Sequence, residues 1–259
     1  MNIQRLPIFK SGNILKQEMM ESLKQYMVDY TILKYSGYSD GILRGCNITV
    51  SDNRIVLHSG ILILGGMPFY IKDTLSIMSK PTNTVKALIV KAGEVEYERC
   101  FESKRIELLM VDVEEINHTD IEICKFRLQQ GAKLRYQYRD LEDMNTEFDT
   151  ICLVRSQWAA FGGNSLSYFI LHQFATDMLK TNGVTQEDRQ FIGQIFAANG
   201  ESLSSECINS YTAGKMNRPY EERKVDEMYA DLLQVLKMAK TGKRGMAVRD
   251  MKERRLIVD

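Results

Sequence analysis

The sequence is poor in the residues that build most catalytic and metal centres. It has three histidines, one tryptophan and four prolines, and neither sign of charge dominates. His58, His118 and His172 lie far apart and no HExxH motif occurs, so a zinc-hydrolase pattern is absent. The five cysteines, Cys46, Cys100, Cys124, Cys152 and Cys207, are odd in number, widely spaced and never form CxxC. That spacing speaks against a disulfide framework and a structural zinc site and for reduced, mostly buried thiols. Lys+Arg and Asp+Glu balance at 34 each, which leaves no global field to draw the chain onto nucleic acid or an anionic membrane. Long apolar runs are missing too: ILILGGMPFYI is too short for a membrane span and is interrupted by glycine. MNIQRLPIFKSG has neither the apolar core nor the cleavage site of a secretion signal, so the chain is expected to be made in a cytoplasm. The sequons at Asn47 and Asn117 then carry no meaning.

What is present is ordinary globular material: 259 residues, 44% hydrophobic and 26% charged, enough for a sizeable core. Leu15, Met19, Leu23, Tyr26, Met27 and Tyr30 recur at three- and four-residue steps and share one face of a predicted helix, with Asn13 as its cap. The turn-rich stretch 35–41 ends that helix. From residue 42 to about 139 the period becomes two. Ile48 and Val50 alternate, Ser51-Asp-Asn-Arg54 reads as a hairpin turn, and strands are predicted in IVLHSGILIL, MPFYI, TVKALIVKA, VEYERCFE, RIELLMVDVEE and IEICKFRLQ. The pattern predicts an antiparallel β-sandwich. The polar stretch 136–150 reads as a connector.

Helical periodicity then returns. SLSYFILHQFATDMLK is apolar nearly all round and predicts a buried helix, ended by Thr181-Asn-Gly183 with glycine as a left-handed cap. Thr185-Gln-Glu-Asp188 opens a second helix as a capping box, Asn199-Gly200 closes it, and a third covers about 220–240. The fold class is therefore α+β, in three parts: an N-terminal segment and helix (1–35), an antiparallel β domain (36–139), and a helical domain (140–259) suited to oligomerisation or partner docking.

Each candidate chemistry meets an obstacle. The glycines at 41, 45, 60, 65 and 66 do not match GxGxxG, and strands follow them rather than a helix. Lys240-Thr-Gly-Lys243-Arg lacks the first glycine and the final hydroxyl of a phosphate loop. Gly163-Asn-Ser165-Leu-Ser167 approaches the GxSxG elbow, but its last glycine is serine and its serines suit helix capping. Glu94, Glu96 and Glu98 share one strand face, where two acids can serve glycan hydrolysis or, more simply, keep a solvated edge from aggregating. Lys237, Lys240, Lys243, Arg244, Arg249, Lys252, Arg254 and Arg255 give a basic end able to meet a nucleic-acid backbone, though without aromatics for stacking. No catalytic, cofactor-binding or metal-binding residue is assigned, no cofactor or small-molecule substrate is expected, and the chain is not expected to be an enzyme.

The arrangement itself is more telling. Phe9-Lys-Ser-Gly12 precedes an amphipathic helix; Gly41-Ile-Leu-Arg-Gly45 leads into a strand and hairpin; Ile55-Val-Leu-His-Ser-Gly60 runs on to Gly65-Gly66. Residues 9 to 71 thereby resemble the N-terminal region of many phage tail and baseplate proteins. The domain order is similar to that of the receptor-binding shoulder domains of phage tails and the type VI secretion baseplate adaptor. The resemblance implies a structural baseplate component of a contractile phage tail or tail-like particle. Such a protein attaches a tail fibre or links neighbouring subunits, forms a homo-oligomer such as a trimer, and is assembled with other baseplate and tail-fibre proteins. No fibrous, glycine-repeating tip is present, which favours an adaptor over a receptor-binding fibre. The 14 methionines and the strongly apolar helix fit a protein with surface to bury against copies or partners. Two alternatives stay open: a glycan-acting enzyme using Glu96 and Glu98, and a nucleic-acid-binding module using the basic end.

Overall fold

The computed structural model describes residues 6–12 and 14–241. Asn13 and the cations Lys243, Arg244, Arg249, Lys252, Arg254 and Arg255 lie outside the described residues. The fold is α+β: an N-terminal helix, antiparallel sheets, then helices.

Helix α1 spans Gln17–Tyr35 and starts after Lys16, which makes no side-chain cap bond. Leu15 precedes it, while Met19, Leu23, Tyr26, Met27 and Tyr30 fall on one face as their spacing requires, and Leu33 extends the stripe. None of its residues is buried.

The strands form three antiparallel sheets of three. Strands β1 (Gly41–Gly45), β4 (Gly60–Leu64) and β5 (Met67–Ile71) make one, in the order β1-β4-β5. A second is β2 (Ile48–Ser51), β3 (Arg54–Leu57) and β6 (Leu75–Met78), in chain order. The apolar run IVLHSGILIL therefore serves two sheets, with His58 and Ser59 as the crossing. Asp52 (φ 48°) and Asn53 (φ 59°) make the β2–β3 turn, and Gly65 (φ 62°) and Gly66 (φ 75°) the β4–β5 turn. Both are two-residue turns with left-handed central residues, whose twist suits a hairpin. Strand β6 escaped the sequence reading because its four residues alternate too briefly to stand out.

The third sheet has the order β8-β7-β9. Strand β7 (Lys86–Tyr97) is one strand where the sequence suggested two. Its register shifts between Ala92 and Val95, so the glycine between them bends the strand without ending it. Its first half, Ala87–Val90, is buried on both faces between β9 (Ile121–Phe126) and β8 (Glu102–Asp112), hence the unbroken apolar run. The second half grows beyond the core as an exposed hairpin with β8.

The polar stretch 136–150 is no free connector. Leu141 and Met144 are buried, and Arg135 holds the Asp143 carboxylate with two bonds, of 2.5 and 2.7 Å. Helices α2 (Tyr168–Leu179), α3 (Gln186–Ala197), α4 (Ser205–Met216) and α5 (Val225–Thr241) follow. The Ser167 hydroxyl caps α2, and Thr185 and Asp188 cap α3 with the expected reciprocal box. Gly183 does not act as the left-handed cap of α2. It is glycine because a Cβ there would collide with the backbone carbonyl of Ala239 on α5. One continuous apolar core joins sheets and helices, with Phe126, Trp158 and Phe174 its largest fully buried side chains.

Candidate functional site

The residues proposed for chemistry are mostly structural. Ser167 accepts the Phe169 amide as a cap (3.2 Å), and Ser165 is fully buried. His58 bonds the Thr49 hydroxyl at 2.8 Å, and the His172 ring lies between Tyr168 (5.7 Å) and Phe196 (5.6 Å). Burial pushes the Cys46 thiol up to about 12 and raises Cys124 as well, which leaves neither as a thiolate nucleophile at neutral pH. Glu96 pairs with Arg105 at 3.1 Å on the exposed hairpin, where both side chains are more than half exposed. Among the described residues no group of three His, Cys, Asp or Glu is arranged to hold a metal, and no helix is long and apolar enough to cross a membrane.

Three buried carboxylates, Asp177, Asp188 and Asp231, serve the helical part. Asp188, 0% exposed, meets the Lys215 ammonium at 2.9 Å, accepts the Tyr211 hydroxyl at 2.7 Å and closes the cap with Thr185. Burial pushes its carboxyl up. Bonds from the Thr185 amide, Lys215, Tyr211 and the Thr185 hydroxyl outweigh that, so the net shift is downward. Asp231 is held by Arg218 and by Arg223 (3.4 Å), and Asp177 accepts the Leu141 amide at 2.8 Å. The last bond ties the 136–150 stretch to α2.

Three features remain without a structural duty. The first is α1. Its C-terminal end is anchored where the Tyr35 ring meets Tyr38 edge-on at 5.5 Å over a small core of Leu43, Ile63 and Ala159, and the helix also lies against β5. Much of its apolar stripe faces solvent, with Met27 62% and Leu33 76% exposed, while Met19 and Leu23 are half-buried. Gln17–Glu21 (2.6 Å) and Gln25–Asp29 (2.7 Å) bonds lace its polar positions. Ile8, Phe9, Ile14 and Leu15 ahead of the helix are exposed too. Full burial of one such side chain gives about 1.5–3 kcal/mol, so the stripe is a large unused driving force. The sequence shows the stripe but not that the fold leaves it open.

The second feature is the β7–β8 hairpin tip, where Tyr97 (79%) and Phe101 (71%) stand exposed beside the Glu98–Phe101 backbone bond of 2.8 Å. The third is a cavity of about 510 Å³ between β2 and the start of α2. Trp158 and Phe169 form one wall, their rings edge-on at 5.6 Å, together with Tyr136, Tyr138 and Tyr168. No sequence signal pointed to it, because its walls come from four separated segments.

No family model matches the chain, and no curated protein matches it. Among solved structures, it is similar to a crystal structure of TssK at TM-score 0.43 and 10% identity, over 93% of this chain and 72% of that one. It is also similar to a chain of the TssK-TssF-TssG baseplate subcomplex of the type VI secretion system, at TM-score 0.39 and 8% identity, over 92% of this chain and 99% of that one.

Proposed function

We propose that the chain is a structural component of the baseplate of a phage tail or phage-tail-like contractile particle. It links the baseplate to a tail fibre or to neighbouring subunits, acts as a homo-oligomer, and uses the helical domain, residues 140–259, for oligomerisation or partner docking. The observation that carries this reading is α1: a 19-residue helix with an apolar stripe and no buried residue. An isolated helix of this length is marginal in water, and helices in proteins gain most of their stability from packing an apolar face. This one has that face, and among the described residues none of it is buried. The reading is further supported by the layout of residues 9–71 and by the structural duties of the buried Asp177, Asp188 and Asp231. Glu96 and Glu98, the residues of the glycan-acting alternative, sit on an exposed hairpin where Glu96 is paired with Arg105. The nucleic-acid alternative rests mostly on residues outside those described; of its two described cations, Lys237 and Lys240, the first pairs with Glu142 at 3.0 Å.

The test is localisation. An epitope-tagged chain expressed in its source cells is expected to co-sediment with purified sheath-and-tube particles and to label one end of them. A chain that stays wholly in the free fraction while particles assemble normally overturns the proposal.

A further inference from the structure

The cavity beside β2 is bounded by an open strand edge. In the order β2-β3-β6, β2 has a neighbour on one side only. Its register pairs Ile48 with Leu57, Thr49 with Val56, Val50 with Ile55 and Ser51 with Arg54. Ser51 and Arg54 close a two-residue turn, which makes them a hydrogen-bonded pair, and the His58 amide donates to the Asn47 carbonyl at 2.9 Å. Bonded pairs alternate along an antiparallel ladder, so Asn47, Thr49 and Ser51 bond inward to β3. The N–H and C=O of Ile48 and Val50 then point off the free edge, and no backbone partner is found for them among the described residues. The cavity touches the consecutive residues Cys46, Asn47, Ile48 and Thr49. Of these, Ile48 and Thr49 belong to β2 and point to opposite faces, so the cavity reaches round the start of the strand beside its free edge.

The walls define the guest further. The lining includes no Lys, Arg, Asp or Glu, so nothing there calls for a charged headgroup. The aromatic surround of Tyr136, Trp158 and Phe169 suits a ring or a branched aliphatic group, and the volume falls within the range of about 300–1,000 Å³ usual for binding sites. Two outward donor–acceptor pairs spaced two residues apart match a polypeptide main chain. A purely apolar small molecule would leave them unmet.

We propose that the edge of β2 and this cavity form a binding site for an extended segment of a partner polypeptide. The segment adds to β2 as a further strand through Ile48 and Val50 and seats one aromatic or branched apolar side chain among Tyr136, Trp158 and Phe169. The site stands on its own geometry, whichever assembly the chain enters.

The probe is an acetylated, amidated hexapeptide alternating threonine with valine and phenylalanine, titrated into the full-length protein labelled with nitrogen-15. Saturable shifts are expected at the Ile48 and Val50 amides and the Trp158 indole. Val50→Pro removes an outward donor while leaving the β2–β3 bonds intact, as an edge proline does, and is expected to weaken binding about five- to tenfold. Gln173→Trp, filling the cavity from α2, is expected to weaken it by about tenfold or more. Absence of any shift in the wild type at about 1 mM peptide overturns the proposal. So does a Val50→Pro protein that binds as the wild type does while Gln173→Trp does not, which would mean a pocket for apolar groups without strand addition. If Val50→Pro fails to fold by circular dichroism, wild-type shifts that avoid Ile48 and Val50 overturn the proposal equally.

Discussion

Helices α1 and α2 are both rich in large apolar side chains, yet they have opposite fates. On α2, Ile170, Leu171, Phe174, Ala175 and Met178 are buried against α3 and α5, and the Ser167 cap fixes where the helix starts. On α1 nothing is buried and no side chain caps the first turn. The difference is one of surroundings more than of composition. Helices α3 and α5 close over α2, whereas α1 meets the fold only near its end at Tyr35 and Tyr38 and along β5, among the described residues. A stripe that is a core element in one place is an unfilled surface in the other, and the second kind is where a partner has most to gain.

The contrast can be broken at several points. The largest effect is expected from Phe174→Ala, which empties the centre of the α2 packing and should cost about 3–5 kcal/mol in chemical denaturation. Asp188→Ala should come close behind, at about 3–5 kcal/mol, because it leaves the Lys215 ammonium without its buried partner. Thr185→Ala, which removes the α3 cap, should cost about 1 kcal/mol. The double variant Met27→Ala, Leu33→Ala should change the stability of an isolated monomer by no more than about 0.5 kcal/mol, since both side chains are exposed. A loss of 3 kcal/mol or so in a confirmed monomer would mean that α1 packs on the fold after all.

Acid sharpens the same comparison. The carboxyls of Asp143 and Asp188 are held below the ordinary range, Asp143 chiefly by the Arg135 hydrogen bonds. A depressed folded pKa contributes stability above the unfolded value, near 3.9, and loses it as pH falls through the folded value. Thermal stability should therefore be flat from about pH 7 to 5 and fall below about pH 4. The decline should be shallower in Asp188→Asn. Unfolding that begins near pH 6 would require another group to be responsible.

Much of this was written locally in the chain. Thr185 and Asp188 announce their capping box because both partners lie three residues apart, and the stripe of α1 is visible from its period. Helix α4 was not legible: its serine, asparagine and threonine residues disguise a segment held by the Ser204 cap, by α5 and by the Tyr211 and Lys215 bonds to Asp188. The role of Gly183 depends on Ala239, 56 positions later, and no local rule reveals that approach. The cavity beside β2 was hidden for the same reason. Its walls, from Ile48 to Phe169, meet only once the sheets and helices share one core.

The central claim is that the open face of α1 is an assembly surface. Light scattering on the size-fractionated full-length protein tests it most directly. The wild type should have a mass that is a whole multiple of the monomer, and Met27→Asp, Tyr30→Asp, Leu33→Asp should return it to the monomer with its fold intact. A wild type that is monomeric at every concentration, with an elution volume the triple variant leaves unchanged, would contradict the account.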